Sequence, residues 1–256
     1  MNPLKHSICF CVMLTIALLG FAPVSQAQTV DEIIKKYFEN TGGEAKWKAL
    51  KSIKVSGKIK QGAMDIPFTQ IQTASGKQKM VYTFQGKELV SPSFDGKEGW
   101  TTNFMTMKAE KMEAEDSENM RREMGDFPDP FIDYAKKGYK VTLLGEETVE
   151  GAACFKIQLT RKPELVDGKE VENSDTYFFD KENYVPIVQR SVVNKGQGKG
   201  MVIETVFSDY QEVNGLMLPF SITQKANGET GGGLVFEKYE FDVAVNDADF
   251  SFPETK

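Results

Sequence analysis

Residues 152–162 read AACFKIQLTRK. Ala153, Phe155, Ile157 and Leu159 alternate with Cys154, Lys156, Gln158 and Thr160. That is the period-2 pattern of a strand with one face in a core and one in water. On this parity Cys154 falls on the polar face. Strand-like runs recur near 52–61, 64–74, 76–85, 87–94, 98–107, 140–148, 173–180, 184–193, 200–213, 216–226 and 232–244. Turn chemistry separates them, as in Ser75-Gly76, Gln85-Gly86, Asp95-Gly96, Glu150-Gly151, Asp167-Gly168, Asn214-Gly215 and Asn227-Gly228. Links this short join neighbouring strands as hairpins, so the expected sheet is antiparallel. Segments 177–179 and 201–207 are apolar on both faces. A sheet of about 11–12 strands that is mostly apolar on one side has to curl around something to bury that side. The expected fold is mainly β with some α: one curved antiparallel sheet in one domain, residues 28–256.

Helices are the available filling. Thr29-Val30-Asp31-Glu32 fits a capping box. Val30, Ile33, Ile34, Tyr37 and Phe38 then form one apolar stripe before Gly42-Gly43 ends the helix. A second short helix is expected over 44–50, with Trp47 and Leu50. The sheet is interrupted at 108–139, where short helices are expected over 116–125 and 130–137.

Residues 1–27 read as a cleavable secretory signal. Lys5 and His6 precede the 14 apolar-rich residues from Ile8 to Phe21, and Ala27 follows a small-residue stretch. Fourteen residues fall short of the roughly 20 that span a bilayer as a helix. The whole chain has 256 residues, with 31 basic and 37 acidic side chains. Removing the signal takes one lysine, changing the charge from -6 to 30 − 37 = -7. It also removes the single histidine and two of three cysteines, leaving Cys154. Catalysis that moves a proton through imidazole is then excluded, as are His-ligated metals and an internal disulfide. Net acidity argues against nucleic acid as a partner. No lipidated N-terminal cysteine is expected, because neither signal cysteine follows the apolar region.

Other constellations have ordinary explanations. The acidic run Glu110, Glu113, Glu115, Asp116 and Glu118 lacks calcium-loop spacing and reads as a solvated helix start. The glycine-rich segments 194–200 and 231–233 lie between strands rather than before a helix, so they read as hairpin loops and not phosphate cradles. Methionines at 105, 107, 112, 120 and 124 suit a surface accepting varied apolar shapes, though packing the insertion onto the sheet is the commoner use. No cofactor or metal is expected, and the chain reads as a non-enzyme.

Four stretches together resemble the outer-membrane lipoprotein-sorting proteins, the LolA/LolB-like periplasmic lipoprotein carriers. They are TVDEIIKKYFENTGGEAKWKALKSIKVSGKI (29–59), SFDGKEGW (93–100), VFSDYQEVNGLMLPFSI (206–222) and DADFSFPE (247–254). The resemblance implies an unclosed half-barrel whose concave face is covered by helices and takes the acyl chains of lipoproteins. The carriers hold their lid with an arginine on an early strand. Here residues 52–108 contain none, and those after residue 27 are Arg121, Arg122, Arg161 and Arg190, so no latch residue carries over.

The function expected is that of a soluble periplasmic carrier that shields acyl chains of lipids or lipoproteins, with membrane-bound donor or acceptor proteins as further partners. The alternative is a periplasmic sensor or protein-interaction module of the same fold with a filled cavity. Expected ligand-lining residues are Met80, Tyr82 and Phe84 on one strand face, with Trp100 and Phe104. Met120, Met124, Phe127 and Phe131 are the expected lid.

Overall fold

The computed structural model describes residues 28–253; the expected signal at 1–27 lies outside the described residues. The capping box forms as the sequence requires. Glu32 donates its amide to Thr29 Oγ1 at 3.3 Å, and Thr29 donates its own to Glu32 Oε2 at 2.8 Å, opening α1 (Val30–Asn40). Its stripe of Ile33, Ile34, Tyr37 and Phe38 is buried. Gly42, at φ +108°, turns the chain out of the helix; a Cβ there would stand 2.0 Å from the Gly215 carbonyl oxygen. Only glycine permits that approach. Next, α2 (Glu44–Ala49) buries Trp47, whose indole donates to the Thr41 carbonyl at 3.1 Å.

Strands β1 (Ser52–Gln61), β2 (Met64–Thr73), β3 (Gln78–Phe84), β4 (Lys87–Phe94), β5 (Gly99–Thr102) and β6 (Ala109–Lys111) follow as a meander. Then come α3 (Ala114–Glu123), β7 (Lys140–Val149), β8 (Ala152–Thr160), β9 (Glu164–Val166), β10 (Lys169–Val171), β11 (Ser174–Asp180), β12 (Pro186–Val192), β13 (Val202–Val213), β14 (Leu216–Ala226) and β15 (Glu229–Phe241). Thirteen strands form one sheet in the order β6-β5-β4-β3-β2-β1-β15-β14-β13-β12-β11-β8-β7. Every pairing in it is antiparallel. The end strands β6 and β7 do not pair, so the sheet is unclosed. Strand β1 pairs with the last strand, β15, and divides the sheet into two wings.

The main core fills the concave side of the later wing. Phe155, Ile157 and Leu159 of β8 and Tyr177 and Phe179 of β11 meet the stripe of α1, Trp47, and Phe131 and Ile132 from the segment after α3. Helix α3 ties β5 to the separate β9–β10 hairpin. Gly99 of β5 donates its amide to Ser117 Oγ at 3.1 Å. Asn119 exchanges two hydrogen bonds with the Leu165 backbone at 2.8 and 2.7 Å. Glu115 accepts from the amides of Asp167 and Gly168 at the β9–β10 turn. The acidic run is thus partly structural.

Several details differ from the sequence reading. The sheet has 13 strands rather than 11–12, because the three-residue β6 gives no countable alternation; the separate β9–β10 hairpin was missed for the same reason. Residues 130–137 form turns, not a helix: Pro128 and Pro130 precede them, and Asp133 takes φ +49°. Glycines 231–233 lie inside β15 rather than in a loop. A Cβ at Gly233 would meet the Ile222 carbonyl oxygen at 2.3 Å, so the triplet answers a close backbone approach. Cys154 is fully buried rather than on a polar face. It packs with Phe178 and Val188 in a small convex-side cluster roofed by the Arg190 guanidinium, 4.7 Å above the Phe178 ring. That cluster is why 177–179 reads apolar on both faces, and burial raises the Cys154 thiol pKa.

The C-terminal segment straps the convex side of the first wing. Ser93 Oγ and the Trp100 indole both donate to the Phe250 carbonyl, at 2.8 and 2.9 Å, and Lys79 donates to that of Asp249 at 2.7 Å. The Phe250 side chain is 1% exposed. Phe250→Ala should therefore lower unfolding free energy by about 3–5 kcal/mol, a fully buried aromatic's cost, in urea denaturation followed by circular dichroism.

Candidate functional site

The concave side is filled unequally. Helices α1 and α2 cover β7, β8 and β11, whereas the concave side of β1, β2, β3, β14 and β15, where the wings meet, has a second, smaller core. There Val55, Phe68 and Phe236 are buried, and Ile59, Met80, Tyr82, Phe220, Ile222 and Leu234 are only partly covered. Register explains their convergence. Ile59 pairs with Leu234 and Ile66, and Phe68 pairs with Tyr82, so their side chains share one face. The aromatic rings lock edge to face, Phe68 to Phe236 at 6.0 Å and Phe236 to Tyr239 at 5.5 Å. Beside them lies an open trough of about 530 Å³, lined by Ile59, Met80, Ile203, Gln224, Gly232 and Leu234. This falls within the usual range for small-ligand sites.

The concave face of the first strands is graded along its length. Toward the hairpin turns the concave face of β1 to β3 carries Ile59, Ile66, Phe68, Tyr82 and Phe84; toward the opposite end Gln70, Gln72 and Gln78 share the same face. Gln72 donates to Gln78 Oε1 at 2.9 Å. Burial holds the Tyr239 hydroxyl well above its ordinary pKa, and it donates to the Pro219 carbonyl at 2.7 Å. The lining can desolvate an apolar chain and offers the Gln61 and Gln224 amides.

The expected site residues separate into groups. Met80 lines the trough, Tyr82 packs on the second core beside it, and Phe84 continues their row to the β3–β4 turn. Phe104 is 56% exposed in the β5–β6 turn, its ring 5.7 Å from that of Phe84. Trp100 faces the other way. It pairs with Ser93 and is buried against the C-terminal strap on the convex side, so it cannot line the trough. Its neighbour Gly99 takes the concave parity instead. Met120 is buried on α3, and Met124 follows it near Gly76 at the β2–β3 turn. Phe127 packs on the main core, and Phe131 lies within it, 3% exposed, with rings of Tyr177 and Phe179 at 5.0 and 5.3 Å. Phe131 is a core residue rather than a movable lid.

Sequence reasoning missed the buried polar network beneath that core. Arg161 Nη2 reaches Asp175 Oδ2 at 2.5 Å and Asn173 Oδ1 at 3.1 Å, and Nη1 lies 3.6 Å from Asp126. Gln189 also donates to Asp175, and Tyr139 to Asp126. The Nε of Arg161 is buried with no partner among the described residues. Desolvation raises the pKa of Asp126 against the pull of Tyr139 and Arg161. A signal was present: Asp175 shares parity with Tyr177 and Phe179, an acid on an otherwise inward apolar face. Nearby, Asp129 accepts from the Tyr37 hydroxyl at 2.7 Å and the Phe131 amide at 2.8 Å, pinning the segment after α3 beneath α1. Burial pushes its carboxyl pKa up to about 6 despite those bonds.

No family model matches the sequence, and no curated protein matches it. Solved structures do match. A domain named for outer-membrane lipoprotein sorting, from Vibrio parahaemolyticus, is 11% identical with a TM-score of 0.51, covering 86% of this chain and 94% of its own. A LolA superfamily protein from Nitrosomonas europaea is 12% identical with a TM-score of 0.51, covering 88% and 98%. A DUF1329 family protein from Desulfovibrio piger is 14% identical with a TM-score of 0.51, covering 85% and 97%. The fold is therefore that of the LolA-like half-barrels, in agreement with the resemblance in the sequence.

Two stability measurements follow. Asp175→Asn should cost about 3–5 kcal/mol in chemical denaturation, since it leaves the Arg161 charge buried without its main partner. A raised carboxyl pKa means the unfolded chain releases the proton first, so its stabilising effect is complete at low pH and is lost as pH rises. Between the ordinary value of 3.8 and about 6, the wild type should lose stability relative to Asp129→Asn, which keeps one acceptor oxygen and cannot ionise. Parallel melting curves across that window check the sign.

Proposed function

We propose that this protein is a periplasmic carrier that shields the acyl chains of lipids or lipoproteins in the open trough where its two wings meet. The observation that carries the reading is the uneven filling of the half-barrel. Helices complete the core over β7, β8 and β11, yet about 530 Å³ beside Ile59, Met80 and Leu234 stays open on an apolar floor. A sheet evolved only for stability has no reason to leave apolar surface uncovered, because each buried methylene contributes about 0.8 kcal/mol. The same figure is the cost that an acyl chain avoids on entering. Met80, Tyr82 and Phe84 form the floor of the route in this reading, and Gln61 and Gln224 in the lining face the polar part of the client.

The secretory pattern at 1–27 supports export, and membrane-bound donors or acceptors are the natural partners of such a carrier. No described helix is long and apolar enough to cross a membrane. The sealed later wing favours a second reading, a sensor or interaction module whose cavity is already full; Phe131 in the core is its best support.

A fluorescent fatty-acyl probe separates the two. It should bind the wild type. Met80→Asp and Leu234→Asp should each weaken it by at least about tenfold, because a carboxylate in the trough must be desolvated with the chain. Both sites are only partly covered, so circular dichroism should show folded variants. A wild type that leaves the probe in water would favour the filled module.

A further inference from the structure

We propose that the turns at the outer end of the first wing form an apolar wedge that docks the protein on a phospholipid bilayer. Of the seven large apolar side chains most exposed among the described residues, four lie at this end: Met64 at 46%, Phe104 at 56%, Met105 at 88% and Met107 at 38%. They project from the β1–β2 and β5–β6 turns, and the β3–β4 turn between them supplies Phe84, stacked on Phe104. The outermost turn is held in shape. Asn103 Oδ1 accepts from the amides of Met105 and Thr106 at 2.8 and 3.0 Å, and Met107 donates to the Asn103 carbonyl at 2.8 Å. Met107 takes φ +59°, a conformation more usual for glycine or asparagine. Large apolar side chains are thus presented to solvent by an ordered loop.

Shape and charge select the bilayer. The tip projects rather than forming a groove, and its few side chains fall well below the roughly 800 Å² per partner of a stable protein interface. Apolar side chains on a projecting loop suit burial at the headgroup–acyl boundary, where affinity scales with apolar area. Lys87 and Lys108 flank the tip without ion pairs among the described residues, and Glu88 and Glu110 beside them offset their charge. With a net charge of -6 on the chain, attraction to anionic lipid is not the driving force. The surface called for is the apolar layer under a zwitterionic headgroup, reached at high salt as well as low. The inference rests on the carrier reading for its purpose: the row Met80, Tyr82, Phe84, Phe104 leads from the trough to the wedge.

Met105→Trp tests it in the purified protein with phosphatidylcholine vesicles. Native Trp47 and Trp100 are 4% and 6% exposed, so a vesicle-induced change reports the introduced indole. Its emission should shift to the blue and be quenched by brominated phosphatidylcholine. Met64→Asp combined with Met105→Asp should reduce vesicle co-flotation by at least about tenfold, with solution binding of the acyl probe held within about twofold. An indole indifferent to vesicles, or co-flotation unchanged in the double variant, would overturn the wedge. So would self-association of the wild type that the double variant abolishes, since a second copy would then cover the tip. Vesicle docking by a protein that binds no acyl probe supports the wedge and removes the carrier reading; probe binding in solution with a silent indole does the reverse.

Discussion

An antiparallel sheet with one apolar face must cover that face, and a single chain has limited means of doing so. Here the sheet curls and two short helices lie in the curl. The helices are too short for the sheet: α1 has 11 residues and α2 has six, spanning roughly 16 and 9 Å at 1.5 Å per residue. They complete the core over the later wing and stop. Everything of functional interest where the two wings meet follows from that shortfall. The strands at the junction keep their inward apolar residues beyond the reach of α1 and α2, so Phe68, Phe236 and Tyr239 partly cover one another and leave a trough beside them.

The remaining devices hold this unequal shape. The segment between α3 and β7 is fixed by Asp129 under α1 and by Asp126 near Arg161, while α3 itself joins β5 to the β9–β10 hairpin. The C-terminal strap stiffens the first wing from its convex side, where Trp100 and Ser93 share the Phe250 carbonyl. Convex bracing lets the concave side stay open, because the wing does not depend on a filled interior for its curvature. Buried ion pairs of the Arg161 kind contribute little net stability but are costly to break singly. They suit fixing one arrangement of the insertion better than strengthening the fold as a whole.

Much of the fold was legible in the sequence, for identifiable reasons. Period-2 alternation at 152–162 and the turn pairs between runs specified antiparallel hairpins, and the Thr29–Glu32 box placed the first helix to the residue. What escaped was short or non-local. Three-residue strands carry no periodicity, and the parity of Cys154 does not reveal that Phe178 and Arg190 cover it from neighbouring strands. The candidate site was half legible. Met80, Tyr82 and Phe84 share a face by simple alternation, so grouping them needed no tertiary information. Trp100 went astray because a bulge between Lys79 and Val81 and the short β5 shift the parity across strands. Phe131 could not be distinguished from a lid residue in sequence, since a buried aromatic after two prolines reads the same in either role.

The most direct test uses the methionine methyl groups as reporters. With 13C-methyl methionine and a fatty acid spin-labelled on its acyl chain, the Met80 methyl, which lines the trough, should broaden at low ligand ratios. The Met120 methyl, 7% exposed on α3, should stay sharp. Broadening confined to surface positions such as Met105, with Met80 unaffected at saturation, would contradict an acyl chain in the trough.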